Sequence, residues 1–405
     1  MDVTRLRNSF SGLDTEWALF DNAGGSQTLR SVVRRITDYF EDCNVQHGAS
    51  YEPSRQAGAR VAEACQGMAD WMGAEQATEV ILGPSTTQLM RNLALSIGQT
   101  MEDGDEVIVT NCDHEANIGP WVDLDRRGIK VKVWEVDPAT LELSLDQLEP
   151  LMSQRTRLVA FTHASNVLGR INPVREITDF VRERGALSCV DGVALAPHRA
   201  IDVQELGADF YGFSLYKVFG PHVAALYGRQ DLLESLPSIN HFFLGQDEVP
   251  YKFQPGNLNF ELTAGLMGLW DYVDEVAGWI GAEGDRRARL RAMFDAFTVR
   301  EASLAERLLV FLRERDGVRI LGPASSDASE RVSTISFVAD GRKSSEIVSA
   351  VDRSRVGIRY GDFYAYRLID ALGLREQDGV IRASFLHYNT EEEVDRLIEA
   401  LDAEL

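Results

Sequence analysis

Five lysines stand in a chain of 405 residues: Lys130, Lys132, Lys217, Lys252 and Lys343. Of these, Lys217 alone follows a buried-strand pattern, ADFYGFS (208–214), and precedes a Gly-Pro turn, in SLYKVFGP. A lysine amine that can lose its proton forms imines with aldehydes. Asp191 ends a second apolar run in SCVDG, Thr86 and Thr87 open a helix after GPS, and His114 follows DEVIVTN. These residue types meet the needs of pyridoxal phosphate. The lysine takes the cofactor aldehyde as an imine. A carboxylate facing the pyridine nitrogen keeps it protonated, so that the ring accepts electrons. Hydroxyls and the amides of a helix N-terminus hold the phosphate. A flat side chain covers the ring, and an arginine fork takes a substrate carboxylate.

The elements that must position these groups alternate along the chain. Strand-like runs occur at 79–83, 105–111, 129–136, 156–163, 186–191, 208–214 and 222–228. Helical segments fit between them at 86–100, 115–127, 144–153 and 173–184, the last closed by Gly185. Alternation of this kind predicts an α/β fold with a mostly parallel seven-stranded sheet covered by helices. Ligands of such sheets bind beyond the strand ends. There lie Ser85–Thr87, Asp113–His114, Ser165–Asn166, Asp191 and Ser214–Lys217. After about residue 260 a helical stretch (262–315), broken near Gly281–Gly284, leads to strand-like runs at 332–339, 356–361 and 380–388. A capped amphipathic helix over 390–405 closes this smaller α+β part. The expected division is a large cofactor-binding domain over 20–280 and a small domain of 281–405 with 1–19.

Composition narrows the class of function. Lys+Arg number 41 and Asp+Glu 63, a net charge of −22, which argues against nucleic acid or an anionic membrane as partner. The four cysteines, Cys43, Cys65, Cys112 and Cys189, form no CxxC pair, so no metal site is expected, and they fit a reducing cytoplasm. The N-terminus shows no signal-peptide core, and no apolar run is long enough to span a membrane.

Five segments carry a family resemblance: HEANIGPW (114–121), SNVLGRINP (165–173), VDGVALAPH (190–198), DVQELGADFYGFSLYKVFGPH (202–222) and RASFLHYNTEEEVD (382–395). In this order and spacing the chain resembles the class V aminotransferase family of fold-type I pyridoxal phosphate enzymes, and within it the cysteine desulfurase branch. The resemblance implies a homodimer with shared sites that acts on a small amino acid. It matches Lys217 to the cofactor-bearing lysine, Asp191 to the pyridinium partner and His114 to the ring-stacking histidine. Asn166 falls near the ring hydroxyl and the substrate carboxylate. Thr86, Thr87 and Ser214 match phosphate ligands, and Tyr216 stands where relatives carry a histidine. Arg382 matches the arginine for the substrate carboxylate, with Arg359 as a second. Asn257, in FQPGNLNFE (253–261), replaces a threonine that reaches the partner's phosphate.

The departures set the expected reaction. Desulfurases carry a nucleophilic cysteine in a loop that reads RYGDFYAY (359–366) here, which puts Tyr364 at the cysteine position. Ala194 replaces a glutamine that bonds the ring hydroxyl. The expectation is a C–S lyase: an external aldimine, a Cα carbanion and β-elimination from a cysteine-like substrate, with no persulfide cysteine. An aminotransferase or an epimerase on the same scaffold is the alternative, and an inactive partner protein a third. The remaining histidines carry no assignment of their own, although His47, in NVQHGASYEPS, is a candidate for the mouth of the site. Tyr51, Phe253, Tyr360, Phe363 and Tyr364 are expected to make that mouth aromatic.

Overall fold

All seven strand-like runs pair into one sheet: β1 (Val80–Gly83), β2 (Glu106–Thr110), β3 (Lys130–Trp134), β4 (Thr156–Thr162), β5 (Leu187–Asp191), β6 (Phe210–Ser214) and β7 (Ala224–Gly228). The computed structural model describes residues 2–405. Strand order is β1-β7-β6-β5-β4-β2-β3, and β7 alone runs against the others. Every residue of β2, β6 and β7 is buried, which is why these strands read as continuous apolar runs. Alternate side chains feed two apolar layers. Ile108, Phe161, Val190 and Phe213 enter one, and Val109, Ala160, Cys189 and Phe210 the other. The edge strand β3 carries Lys130 and Lys132, and Lys132 pairs with Glu106 at 2.7 Å.

Helices Thr86–Ile97 and Val174–Glu183 form where the pattern puts them. Gly185 follows the second at φ +76°, a left-handed turn that glycine adopts without strain. The expected helices 115–127 and 144–153 are broken into short turns, Glu115–Asn117, Gly119–Val122 and Asp123–Arg127, then Leu145–Leu148 and Glu149–Leu151. Pro120 and Pro150 explain the breaks: each lacks an N–H donor and starts a turn instead of continuing one. The long helical stretch divides into Phe260–Gly265, Met267–Ile280 and Arg286–Arg313, with Gly281 at φ +70° in the expected break.

A second, antiparallel sheet contains β8 (Val318–Leu321), β9 (Thr334–Ala339), β10 (Arg359–Gly361) and β11 (Val380–Ser384), ordered β10-β11-β9-β8. Strand β8 has no counterpart among the expected strands, since it is four residues long and mostly part-exposed. The run 356–361 splits: Val356–Gly357 pairs with Ala18–Leu19, and the chain then crosses into the small sheet as β10. Helix Arg286–Arg313 joins the two cores. Leu290, Phe294 and Phe297 pack with the large one, and Leu304, Leu308 and Leu312 with the small one. The N-terminal segment divides as well, because Leu6, Phe10 and Leu13 bury under the large sheet and Ala18 under the small one. No helix among the described residues is long and apolar enough to cross a membrane.

The ends of β4, β5 and β6 lie side by side, with Thr162 opposite Asp191 and Asp191 opposite Gly212. Gly192 then turns the chain against the buried ring of Tyr211. A Cβ on Gly192 would stand 2.1 Å from a ring carbon of Tyr211. Gly192→Ala is therefore expected to destabilise the fold by about 1–3 kcal/mol, the usual range for overpacking. A thermal midpoint equal to the parent's would contradict this reading.

Candidate active site

The strand ends open into a cavity lined by Thr86, Thr87, His114, Asn166, Asp191, Ser214, Tyr216 and Lys217. Nine further residues complete the wall, among them Ala23, Ser85, Ala194 and His198. Eight of the eleven site residues expected from sequence thus face one space. Ser85 caps helix Thr86–Ile97 by accepting the Gln88 N–H at 3.2 Å. That cap aims the first turn of the helix, with its unpaired amides, at the cavity. Beside it the hydroxyls of Thr86 and Ser214 meet at 2.7 Å. Tyr216 stacks on His222, with ring centres 4.7 Å apart.

Lys217 is partly buried, and its ammonium donates to the Ala23 carbonyl. Burial lowers its pKa from 10.5 to about 8; Arg382 pushes the same way, and Asp191 and Asp21 oppose. Asp191 accepts the Val193 N–H at 2.9 Å through one oxygen. Its second oxygen has no hydrogen-bond donor among the described residues, and burial raises its pKa to about 6. His114 is driven down to about 4 by burial and by the cations Lys217 and Arg382. The ring is therefore neutral at physiological pH. Its Nδ1 accepts the Ala116 N–H at 3.0 Å, so the ring proton sits on Nε2.

Arg382 lies at the edge of this group, buried to 2 % exposure. It donates to the Asn166 backbone carbonyl at 3.1 Å and to Asp21 at 3.1 Å. Its Nε–H has no partner, an uncompensated buried donor. Arg359 stands opposite Arg382 in the β10–β11 pair and reaches the other oxygen of Asp21 at 3.4 Å. Asp21 therefore neutralises both arginines, a role the sequence did not announce.

The segment after β10 closes over this arrangement. The Asn166 side chain donates to the Phe363 carbonyl at 2.9 Å, and the Glu115 N–H to the Tyr364 carbonyl at 2.8 Å. The Arg382 guanidinium lies 3.7 Å over the Phe363 ring. Phe363 and Tyr364 both have positive φ, +53° and +60°. Left-handed backbone at a bulky residue costs on the order of 1–3 kcal/mol, so this turn persists because its contacts impose it.

Asn257 lies in a separate cleft with Gln88, Asn92 and His222, outside the cavity around Lys217. Expectations for the mouth of the site are corrected. His47 packs edge-on against Phe260, 4.3 Å between ring centres, away from the cavity. Phe253 is a core residue, 1 % exposed, and Phe363 is buried beneath Arg382. Tyr51, Tyr360 and Tyr364 are exposed. Two carboxylates have roles that the sequence left unassigned. Asp113 accepts from Thr110 at 2.6 Å, Asn117 at 2.7 Å and the Thr162 N–H at 3.0 Å, and burial raises it to about 7. Glu301, fully buried, meets the cavity residue His198 at 2.6 Å. Asp113 directly precedes His114 at a strand end, which was the available signal. Glu301 sits in mid-helix and gave none.

A partly buried amine and a buried carboxylate share a cavity at a parallel sheet edge, and facing hydroxyls stand there at a helix N-terminus. This fold and donor set define a pyridoxal phosphate-dependent enzyme of fold type I. The family description "Aminotransferase class-V" matches residues 18–397. The chain belongs to the class V aminotransferase family, and its cofactor is pyridoxal 5′-phosphate. An aminotransferase-like protein of Gibberella zeae is 41% identical over 410 residues, covering 99% of this chain and 98% of that protein. A cysteine desulfurase-like protein of Aspergillus flavus is 34% identical, covering 99% and 90%. The solved structure of a cysteine desulfurase from Escherichia coli superposes with a TM-score of 0.84 at 25% identity, over 100% of this chain and 98% of that one.

The electrostatics give a signed prediction for the cofactor-free chain. Asp191 has a folded pKa of about 6, above its ordinary 3.8. Between these values the folded state binds the proton more tightly, so stability falls as pH rises through that window. Asp191→Asn removes this loss. Unfolding of the cofactor-free protein should show the variant more stable than the parent above pH 6, with the gap closing toward pH 3.8. A constant gap across this range would contradict the assignment.

Proposed function

We propose that this chain is a C–S lyase that removes a sulfur substituent from the β-carbon of a cysteine-like amino acid, without a persulfide cysteine. The observation that carries the proposal is a lysine amine whose pKa is lowered by desolvation to about 8, so that a fraction of it is unprotonated near neutral pH, in a cavity that no thiol lines among the described residues. Tyr364 occupies the loop position where the desulfurase branch has its nucleophile. Cys43, Cys112 and Cys189 are buried elsewhere, and burial raises Cys65 to about 11. A high thiol pKa leaves little thiolate to act as a nucleophile.

Bound pyridoxal phosphate supplies an electron sink for the pair left at Cα when a bond there breaks. The residues of the chain do the rest. Thr86, Thr87, Ser214 and the first turn of helix Thr86–Ile97 hold the phosphate, and Tyr216 adds a phenol. Asp191 keeps the proton on the pyridine nitrogen with the oxygen that no protein donor takes. Neutral His114 would be the flat group that covers the cofactor ring, and its Nε2–H is free to donate there. Arg382 holds the substrate carboxylate, which supplies the acceptor its Nε–H lacks; Asn166 orients that guanidinium, and Arg359 stands second in line. With the cofactor bound, Lys217 would be the base that takes the proton from the substrate Cα. In a homodimer Asn257 would serve the second copy, which fits its place outside the cavity. Transamination is the second reading, favoured by the aminotransferase-like name of the Gibberella zeae relative.

Incubation of the holoenzyme with cysteine and S-substituted cysteines tests the proposal. The expected products are equimolar keto acid and thiol or sulfide. Conversion of the cofactor to its amine form, without thiol release, would favour transamination and contradict the lyase. Arg382→Lys should raise KM at least about tenfold, since an ammonium lacks the planar fork.

A further inference from the structure

We propose that Tyr364 determines specificity by contacting the substrate side chain with the face of its ring. The inference rests on the reading of Lys217, His114 and Arg382 given above and names the residue that reads the side chain at that site. Tyr364 packs against a residue of the inner cavity and itself lines an outer cleft. Its ring centre lies 5.1 Å from that of His114, tilted by 30°, and His114 lines the cavity around Lys217. On its other side Tyr364 lines an outer cleft with Asn111, Glu115, Asp362 and Arg367. A substrate seated with its amine at Lys217 and its carboxylate at Arg382 lies beside His114, and a longer side chain directed toward the outer cleft meets this ring.

The backbone beneath the ring is fixed, and the ring itself is not. The Tyr364 carbonyl accepts the Glu115 N–H at 2.8 Å, and its own N–H donates to Asp362 at 2.8 Å. Asn166 holds the preceding carbonyl at 2.9 Å. These contacts tie the turn to the residues on either side of the cavity and maintain two consecutive left-handed residues. The side chain, by contrast, is 69 % exposed, and its hydroxyl has no hydrogen-bond partner among the described residues. A large flat group on a rigid mount at the mouth of a reactive cavity is a recognition element: it orders few backbone degrees of freedom when it binds.

The test measures dissociation constants of the holoenzyme for a series of amino acids of increasing side-chain length, from the cofactor absorbance. Alanine, S-methylcysteine and S-benzylcysteine are the probes. Tyr364→Ala should weaken S-benzylcysteine at least about tenfold and alanine less than about twofold, since alanine does not reach the ring. Alanine at 364 retains a Cβ, so the left-handed turn keeps its backbone preference. Tyr364→Phe keeps the ring and should bind all three within about threefold of the parent. Equal weakening of all probes by Tyr364→Ala, or none, would overturn the proposal, as would a Phe variant that behaves like Ala. Keto acid release, scored in parallel, judges the lyase reading separately. Its absence, with the dependence on side-chain length intact, would sink the lyase and leave Tyr364 in place.

Discussion

Charge burial is the constraint on which this structure depends. Lys217 and Arg382 are both cations withdrawn from water, and Arg382 lowers the affinity of Lys217 for its proton. Two desolvated cations in one space are costly unless carboxylates accompany them. Asp21 and Asp191 do so from opposite sides, and both favour the protonated Lys217. Burial outweighs them, and the amine settles near 8. That value leaves a fraction of Lys217 unprotonated near neutral pH, whereas Arg382, at about 10, keeps its charge. One pocket therefore contains a base and an anion-binding cation, separated by the intrinsic difference between an amine and a guanidinium.

The fold provides these groups from unlinked parts of the chain. Lys217, Ser214 and Asp191 come from adjacent strand ends of the large sheet, and Arg382 from a strand of the small one. Asp21 reaches the site from the N-terminal segment that bridges both sheets, where Asp21 pairs with Ser384. Asn22 ties this segment down by donating to the Ser384 carbonyl at 2.8 Å and to Asn389 at 3.1 Å. Helix Arg286–Arg313 adds a second tie, since Glu301 accepts from the His387 N–H at 3.1 Å and meets His198 in the cavity wall. The distance between Lys217 and Arg382 is thus set by buried polar joints between the two cores, where an unmet donor is expensive.

What the sequence showed follows from how local each signal is. The seven strands of the large sheet were legible because apolar, β-branched runs buried on both faces stand out against their turns. Lys217, Asp191, Thr86 and Ser214 were legible because parallel sheets put function at strand ends. The resemblance to a known family supplied Arg382 and Asn166, which no local pattern marks. Other features were hidden for physical reasons. Strand β8 is too short for alternation to register. Helix 115–127 kept an apolar periodicity that Pro120 interrupts. Asp21 and Glu301 act through partners more than 80 residues away, at Arg382 and His198, and no window along the chain contains such a pair. Asn257 belongs to a different cleft of the single chain, so its distance from Lys217 was invisible to motif order.

The central claim is that one amine, Lys217, carries the cofactor. The scarcity of lysine makes this directly measurable, since only five side chains compete. Reduction of the holoenzyme with borohydride fixes the cofactor to the amine that holds it, and peptide mapping by mass spectrometry then locates the label. The account predicts a single phosphopyridoxyl group, on the peptide that contains Lys217, and none on those containing Lys130, Lys132, Lys252 or Lys343. A label on any of those four, or a holoenzyme that yields no labelled peptide, would contradict it.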